Sequence, residues 1–250
     1  LCIKLWESGD ASWIVDQSKC EKGRKNLRHR DKTKANQVSA ILKAQEGVAR
    51  MGGGECYGPQ FKARDHCTKC IPKRSLSKKL WSPPDFGFIK FNFDATFQSD
   101  SRNSTTTVLA RYSKRKVVGA ETYLFEDVVD AFVDEARACE RALLFAFRMG
   151  FRCLLVEGDS LMVIKKLKAK GEDKSIIRSI IHHIRTLENC FEEVLYLFVS
   201  RLVNGASHTL AMEGKRRQSS GIWVDGVSVL VRTLVEKDRM VWAQRHQVSS

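Results

Sequence analysis

The sequence predicts an α/β domain built on a mixed five-stranded sheet, on three observations. Residues 86–125 give three consecutive β-type segments with short links, the pattern of an antiparallel meander. A helical stripe then leads into Cys153-Leu-Leu-Val156, a short continuous apolar run typical of a buried parallel strand. Helices and one more strand follow, so the order from residue 86 is β-β-β-α-β-α-α-β-α, with the helices flanking the sheet.

Each element has a local cause. Trp81-Ser-Pro-Pro84 is a stiff, non-helical entry. Phe86 to Asp94 alternates, with Ile89, Phe91 and Phe93 on one side and Lys90, Asn92 and Asp94 on the other, which predicts a half-polar strand ending at Asp94. Ser104 to Tyr112 is β-branched through Thr105, Thr106, Thr107 and Val108. Arg111-Tyr-Ser-Lys-Arg-Lys116 makes a basic turn, and Val117 to Phe125 forms the third strand.

Asp130 caps the first helix, whose stripe is Phe132, Ala136, Cys139, Leu143 and Phe147, and Gly150 ends it. Glu135 lies about 80° from the centre of that stripe, at about 100° per residue. Its row neighbours Ala131, Ala138 and Ala142 let the helix approach a sheet closely and hold Glu135 at the seam. After Val156, Glu157-Gly-Asp-Ser160 places Asp159 at the carboxyl end of a strand, where open α/β sheets keep their ligands. Helices over Leu161–Lys170, Ser175–Asn189 and Asn204–Glu213, and a strand over Glu193–Ser200, complete the expectation.

Charge sets the flanks apart. The 250 residues carry 43 Lys+Arg against 29 Asp+Glu, net +14. Residues 1–80 hold 18 basic and 8 acidic side chains, residues 81–214 hold 18 of each, and residues 215–250 hold 7 and 3. The reading is therefore a basic, largely unstructured segment over 1–80, a neutral domain over 81–214 and a C-terminal tail over 215–250, which has room for a short added strand or helix. The excess points to a polyanion, nucleic acid before an anionic membrane surface. The tract from Lys19 to Lys34 reads as a solvated tail or as a nucleic-acid or nuclear-import arm.

No apolar run approaches the roughly 20 residues that span a bilayer. Leu1 to Ile14 carries Lys4, Glu7 and Asp10, unlike a secretory signal, and with no initiator Met the sequence reads as a piece of something longer. Disulfides are accordingly not expected. Cys67-Thr-Lys-Cys70, with Cys56 and His66 nearby, has one thiolate pair at zinc spacing and lacks a clean second. Cys139, Cys153 and Cys190 read as small core residues, and His182 and His183 as surface residues.

The acids matter as a set. Asp94, Glu135 and Asp159 come from three separated elements, each able to reach one end of the sheet, which is what a site for a divalent ion with oxygen ligands requires. If the acids are incidental, their carboxylates would stand more than about 8 Å apart, given metal–oxygen bonds of about 2.0–2.6 Å.

Residues 81–213 resemble the ribonuclease H type-1 domain, most closely its branch associated with plant non-LTR retroelement reverse transcriptases. The landmarks are Trp81-Ser-Pro-Pro84, Ile89-Lys-Phe-Asn-Phe-Asp-Ala-Thr96, Asp134-Glu-Ala-Arg-Ala138, Val156-Glu-Gly-Asp-Ser160, and Val199-Ser-Arg-Leu-Val-Asn204 running into His208-Thr-Leu-Ala211. The acids are spaced by 41 and 24 residues.

The resemblance implies a ribonuclease H-like mixed five-stranded sheet and endonucleolytic hydrolysis of the RNA strand of an RNA–DNA hybrid. It implies two Mg²⁺ or Mn²⁺ ions on Asp94, Glu135 and Asp159, with His208 where the family's fourth acid stands. It also points to nucleic-acid contacts from Asn92, Lys114, Arg115, Lys116, Arg201 and Asn204. Lys165 and Lys166, with Lys168 and Lys170, either line the DNA strand or form a solvated face. Ala95 replaces the usual Gly after the first acid, and Arg102-Asn-Ser-Thr-Thr-Thr107 replaces a Gly-rich strand. Those replacements support the alternative, a catalytically degenerate nucleic-acid-binding module of retroelement origin.

Overall fold

In the computed structural model, residues 80–112, 117–128, 130–169, 171, 174–224 and 226–247 are described. The Cys56, His66, Cys67 and Cys70 group and the basic turn Lys114–Lys116 lie outside them.

Three strands form the meander: β1 Ile89–Gln98, β2 Asn103–Arg111 and β3 Val117–Phe125, paired antiparallel in that order. β1 runs past Asp94, where the strand was expected to end. Ala95, Thr96, Phe97 and Gln98 continue the apolar–polar rhythm past Asp94, and their backbone pairs with Asn103–Thr106 of β2, so the strand carries on. Helix α1 spans Ala131–Arg148. Asp130 caps it as expected, its carboxylate accepting the amides of Phe132 at 2.8 Å and Val133 at 3.0 Å. Gly150, at φ +74°, supplies the left-handed residue past the helix end.

β4 Cys153–Gly158 lies parallel to both β1 and β5 Glu193–Phe198. Between β4 and β5 come α2 Leu161–Lys168 and α3 Arg178–Glu188, both shorter than their sequence patterns suggest. α4 covers Gly205–Arg217 and runs past Gly214, where the domain was expected to close. The C-terminal segment adds β6 Gly221–Trp223, a sixth strand on the edge of β3, and helix α5 Val229–Gln247. The sheet order is β5-β4-β1-β2-β3-β6.

Both faces of the sheet are covered, so the half-polar pattern of β1 does not mean a solvated face. On one face Phe91 packs edge-on against Phe145 of α1 and against Phe151. Phe93 shares that face and lies over Gly158, where an added Cβ would stand 2.2 Å from the ring. Gly158 thus lets an aromatic ring close over the end of β4, one residue before Asp159.

On the opposite face α4 and α5 lie over the meander. Val231 and Val235 of α5 join Leu109, Ala120, Ala206 and Leu210 in one buried cluster. Lys90, Asn92 and Arg111 are buried on this face as well. Their charges are neutralised inside: Lys90 pairs with Glu157 at 2.7 Å and Arg111 with Asp238 of α5 at 2.8 Å. Asn92 donates to Glu157 at 3.1 Å and accepts from Arg111 at 2.8 Å, and the Arg111 guanidinium stacks 4.3 Å above the Trp81 ring.

Candidate functional site

The parallel register of β1 with β4 runs from Ile89–Leu154 to Asn92–Glu157 and then ends. Asp94 lies two residues beyond it on β1 and Asp159 two residues beyond it after β4. Alternation therefore puts Asp94 on the face of Asn92, and Asp159 on the face of Glu157. α1 brings in Glu135 from its first turns. Ligand oxygens of Asp94, Glu135 and Asp159 all lie within 4.8 Å of one another, and no other such cluster occurs among the described residues. Two oxygens on one ion stand at most about 4–5 Å apart, so only small side-chain shifts separate this cluster from a coordination shell. The separation beyond about 8 Å expected of incidental acids is not what the protein has.

The oxygens divide into two sets. Asp94 Oδ1, Glu135 Oε2 and Asp159 Oδ1 are buried with no hydrogen-bond partner. Buried carboxylate oxygens are ordinarily satisfied, so an orphaned oxygen on each of three clustered carboxylates fits a cation. The second set is engaged: His208 Nδ1 of α4 lies 2.7 Å from Asp94 Oδ2 and 2.5 Å from Arg201 Nη1, Arg201 reaches the same Asp94 oxygen at 3.5 Å, and Arg201 Nε pairs with Asp159 Oδ2. His208 is thus a partner of Asp94 and lies outside the ligand cluster.

Crowding carboxylates in a buried place raises their proton affinity. Burial, then the neighbouring Asp159 charge, lifts the Asp94 carboxyl to about 6, against the opposing pull of Arg201 and His208. Burial and the charges of Asp94 and Asp159 lift Glu135 to about 9. Asp134, fully buried beside it, is raised to about 6, chiefly by burial. The folded protein therefore keeps protons that the unfolded chain has released, and unfolding becomes easier as pH rises. For Glu135 the fall in stability runs from its ordinary 4.5 up to about 9, at no more than about 1.4 kcal/mol per pH unit.

Without divalent ion, the thermal midpoint is expected to drop as pH goes from 6 to 9, and Glu135→Gln to flatten that drop. Saturating Mn²⁺, which favours the charged carboxylates, should flatten it too. Scanning calorimetry of both proteins across that range is the check. An identical slope in wild type and variant would refute the assignment.

The remaining sequence-derived residues divide by burial. Arg201 is 54% exposed and contacts the acids directly. Lys165 is exposed and Lys166 half-buried on α2. Asn92 and Asn204 correct the expectation of nucleic-acid contact, because both are buried. Asn92 spans Glu157 and Arg111, while Asn204 donates to the Phe93 carbonyl at 2.8 Å, so each holds β1 in place. His183 is more than a surface residue, lying 3.2 Å from the buried Glu140 carboxylate, whose hydrogen bond raises the imidazole's proton affinity. Cys139 and Cys153 are buried and Cys190 is half-buried.

The reach of Arg201 to two acids and the Asp238 partner of Arg111 were not foreseen. No spacing rule signals either. Arg201 follows β5, whose place beside β4 only the folded sheet reveals, and Asp238 lies on a helix of mixed polarity.

A mixed sheet with this element order, gathering three carboxylates at one end, is an RNase H-like fold with a candidate acidic site. Residues 92–214 match the family model described as Reverse transcriptase-like. No curated protein matches the chain. Among solved structures, RNase H1 of the halophilic archaeon Halobacterium salinarum is similar at 20% identity and TM-score 0.49, covering 52% of this chain and 98% of its own. The N-terminal RNase H domain of a Mycobacterium tuberculosis protein, solved as a fusion with maltose-binding protein, gives 16%, 0.48, 52% and 94%. LC11-RNase H1, solved in complex with an RNA/DNA hybrid, gives 14%, 0.47, 52% and 99%.

Proposed function

We propose that residues 81–214 form a metal-dependent endonuclease that hydrolyses the RNA strand of RNA–DNA hybrids, within a protein of retroelement reverse-transcriptase type. The observation that carries this reading is the gathering of the Asp94, Glu135 and Asp159 carboxylates at one end of the sheet, with ligand oxygens within 4.8 Å of one another and one buried, unpartnered oxygen on each. These residues would hold Mg²⁺ or Mn²⁺, two ions by the family resemblance. Bound there, the ions supply an activated water and neutralise charge on the leaving oxygen of the phosphodiester.

The protein's own contribution is placement. β1 and β4 fix Asp94 and Asp159, α1 delivers Glu135, and the contact of His208 Nδ1 with Asp94 Oδ2 orients that carboxyl while leaving its other oxygen without a hydrogen-bond partner. Glu135 holds a proton near neutral pH and gives it up as the site charges. The hybrid's minor groove exposes 2′-hydroxyls, which identify the RNA strand without reading its sequence. The basic flanks add affinity that falls with salt.

The second reading is a catalytically silent nucleic-acid-binding module. Arg201 favours it by occupying carboxylate oxygens that an ion would need. Purified protein with Mn²⁺ or Mg²⁺ is expected to cut a labelled hybrid within its RNA strand, and to leave duplex DNA intact. Hybrid bound but uncut by either ion, under conditions where an RNase H1 cuts it, would establish the silent module instead.

A further inference from the structure

Arg201 sits in the short connection between β5 and α4, with its side chain 54% exposed, yet it touches two of the three acids. Its backbone is anchored: Val203 and Asn204 are buried, and Asn204 is tied to the Phe93 carbonyl. Only the long, half-solvated side chain has to move for the contact to break. The pairing is also selective by oxygen. Arg201 contacts Oδ2 of Asp94, Oδ2 of Asp159 and Nδ1 of His208, and the Oδ1 atoms of both acids are buried without a hydrogen-bond partner.

We propose that Arg201 is a displaceable internal counter-ion of the carboxylate cluster. It competes with divalent cation for Asp159 and Asp94, and leaves them as the site fills. The inference rests on the reading of the cluster as a metal site. A divalent ion held by Asp94, Glu135 and Asp159 would contend with Arg201, which already engages an oxygen of both Asp94 and Asp159. In the ion-free protein the guanidinium supplies the positive charge that three converging carboxylates lack. On loading, it is freed at the mouth of the site as a planar donor of the kind that suits a phosphate.

The test is Mn²⁺ titration of the full chain by calorimetry and by electron paramagnetic resonance. Wild type is compared with Arg201→Ala and with Arg201→Gln, which keeps length and removes charge. Both variants are expected to bind Mn²⁺ about tenfold more tightly, or to take up a second ion at lower concentration, within the range that outer partners of metal ligands command. Without ion they should melt below wild type, and Mn²⁺ should raise their midpoints by more.

Equal or weaker binding in both variants would overturn the proposal. If binding is unchanged in them but lost in Asp94→Asn, the metal site stands and only the competition falls. If none of the proteins binds Mn²⁺, both fall.

Discussion

Asp94→Asn is expected to abolish hybrid cleavage, by more than about 100-fold, while leaving hybrid binding unchanged or tighter. Changes to outer partners of metal ligands already cost about 10–100-fold, so loss of a ligand charge should exceed that. Asp94 is fully buried and both its oxygens are assigned, one to His208 and Arg201 and one to the cluster. Asparagine keeps the shape and can still hydrogen-bond His208, but offers no anionic oxygen to an ion.

Binding moves the other way because an acid near the phosphates repels them. Stability should hold or rise without ion, since the amide avoids the burial cost that pushes the Asp94 carboxyl up to about 6. Single-turnover cleavage, a binding isotherm and a melting curve on one preparation separate these effects. Cleavage within about threefold of wild type, with the fold intact, would mean that the acids are not the reactive centre.

The three acids could be found in the sequence because each sits next to a strong local signal. Asp94 follows an alternating strand, Glu135 rides a striped helix beside small residues, and Asp159 follows a short apolar run. Strand order then brings them together by a rule of α/β sheets that needs no coordinates. What stayed hidden depends on which element covers which face.

Asn92 and Asn204 looked like polar residues near a site, and only the packing of α4 over the sheet makes them internal ties. The extension of β1 past Asp94 was legible in the continued alternation of Ala95, Thr96, Phe97 and Gln98, and backbone pairing with β2 bears it out. Helix α5 was the least legible. Exposed apolar residues at Val229, Leu230 and Met240 blur its stripe, so the sequence alone does not single out Val231 and Val235 as the buried ones or show that Asp238 reaches a buried arginine.

That arginine makes the C-terminal helix matter to the site. Arg111 and Lys90 are two cations buried on one sheet face, balanced by Asp238 and Glu157. Asp238→Ala removes one anion and strands Arg111, whose side chain is 1% exposed. Breaking a buried pair costs about 3–5 kcal/mol, and the partial exposure of Asp238 places this case near the lower end, about 3 kcal/mol. At about 2–4 °C per kcal/mol for a domain of this size, the melting midpoint should fall by about 6–12 °C.

The double variant Asp238→Ala, Arg111→Met removes both charges and should recover most of that loss, because a stranded charge, not missing surface, is the cost. If the double variant melts no higher than the single one, Arg111 is not the reason α5 is held.

The consequence reaches the acids through the pleat. Asn92 bridges Arg111 to Glu157, and these partners precede Asp94 and Asp159 by two residues on the same face. A shift of Arg111 toward solvent pulls on Asn92 and hence on the register that places both carboxylates. Asp238→Ala should therefore lose Mn²⁺ affinity even at temperatures where it is fully folded, and the double variant should regain it. The C-terminal segment, which sequence reading could set aside as a tail, thus carries the counter-charge for the layer on which Asp94 and Asp159 stand.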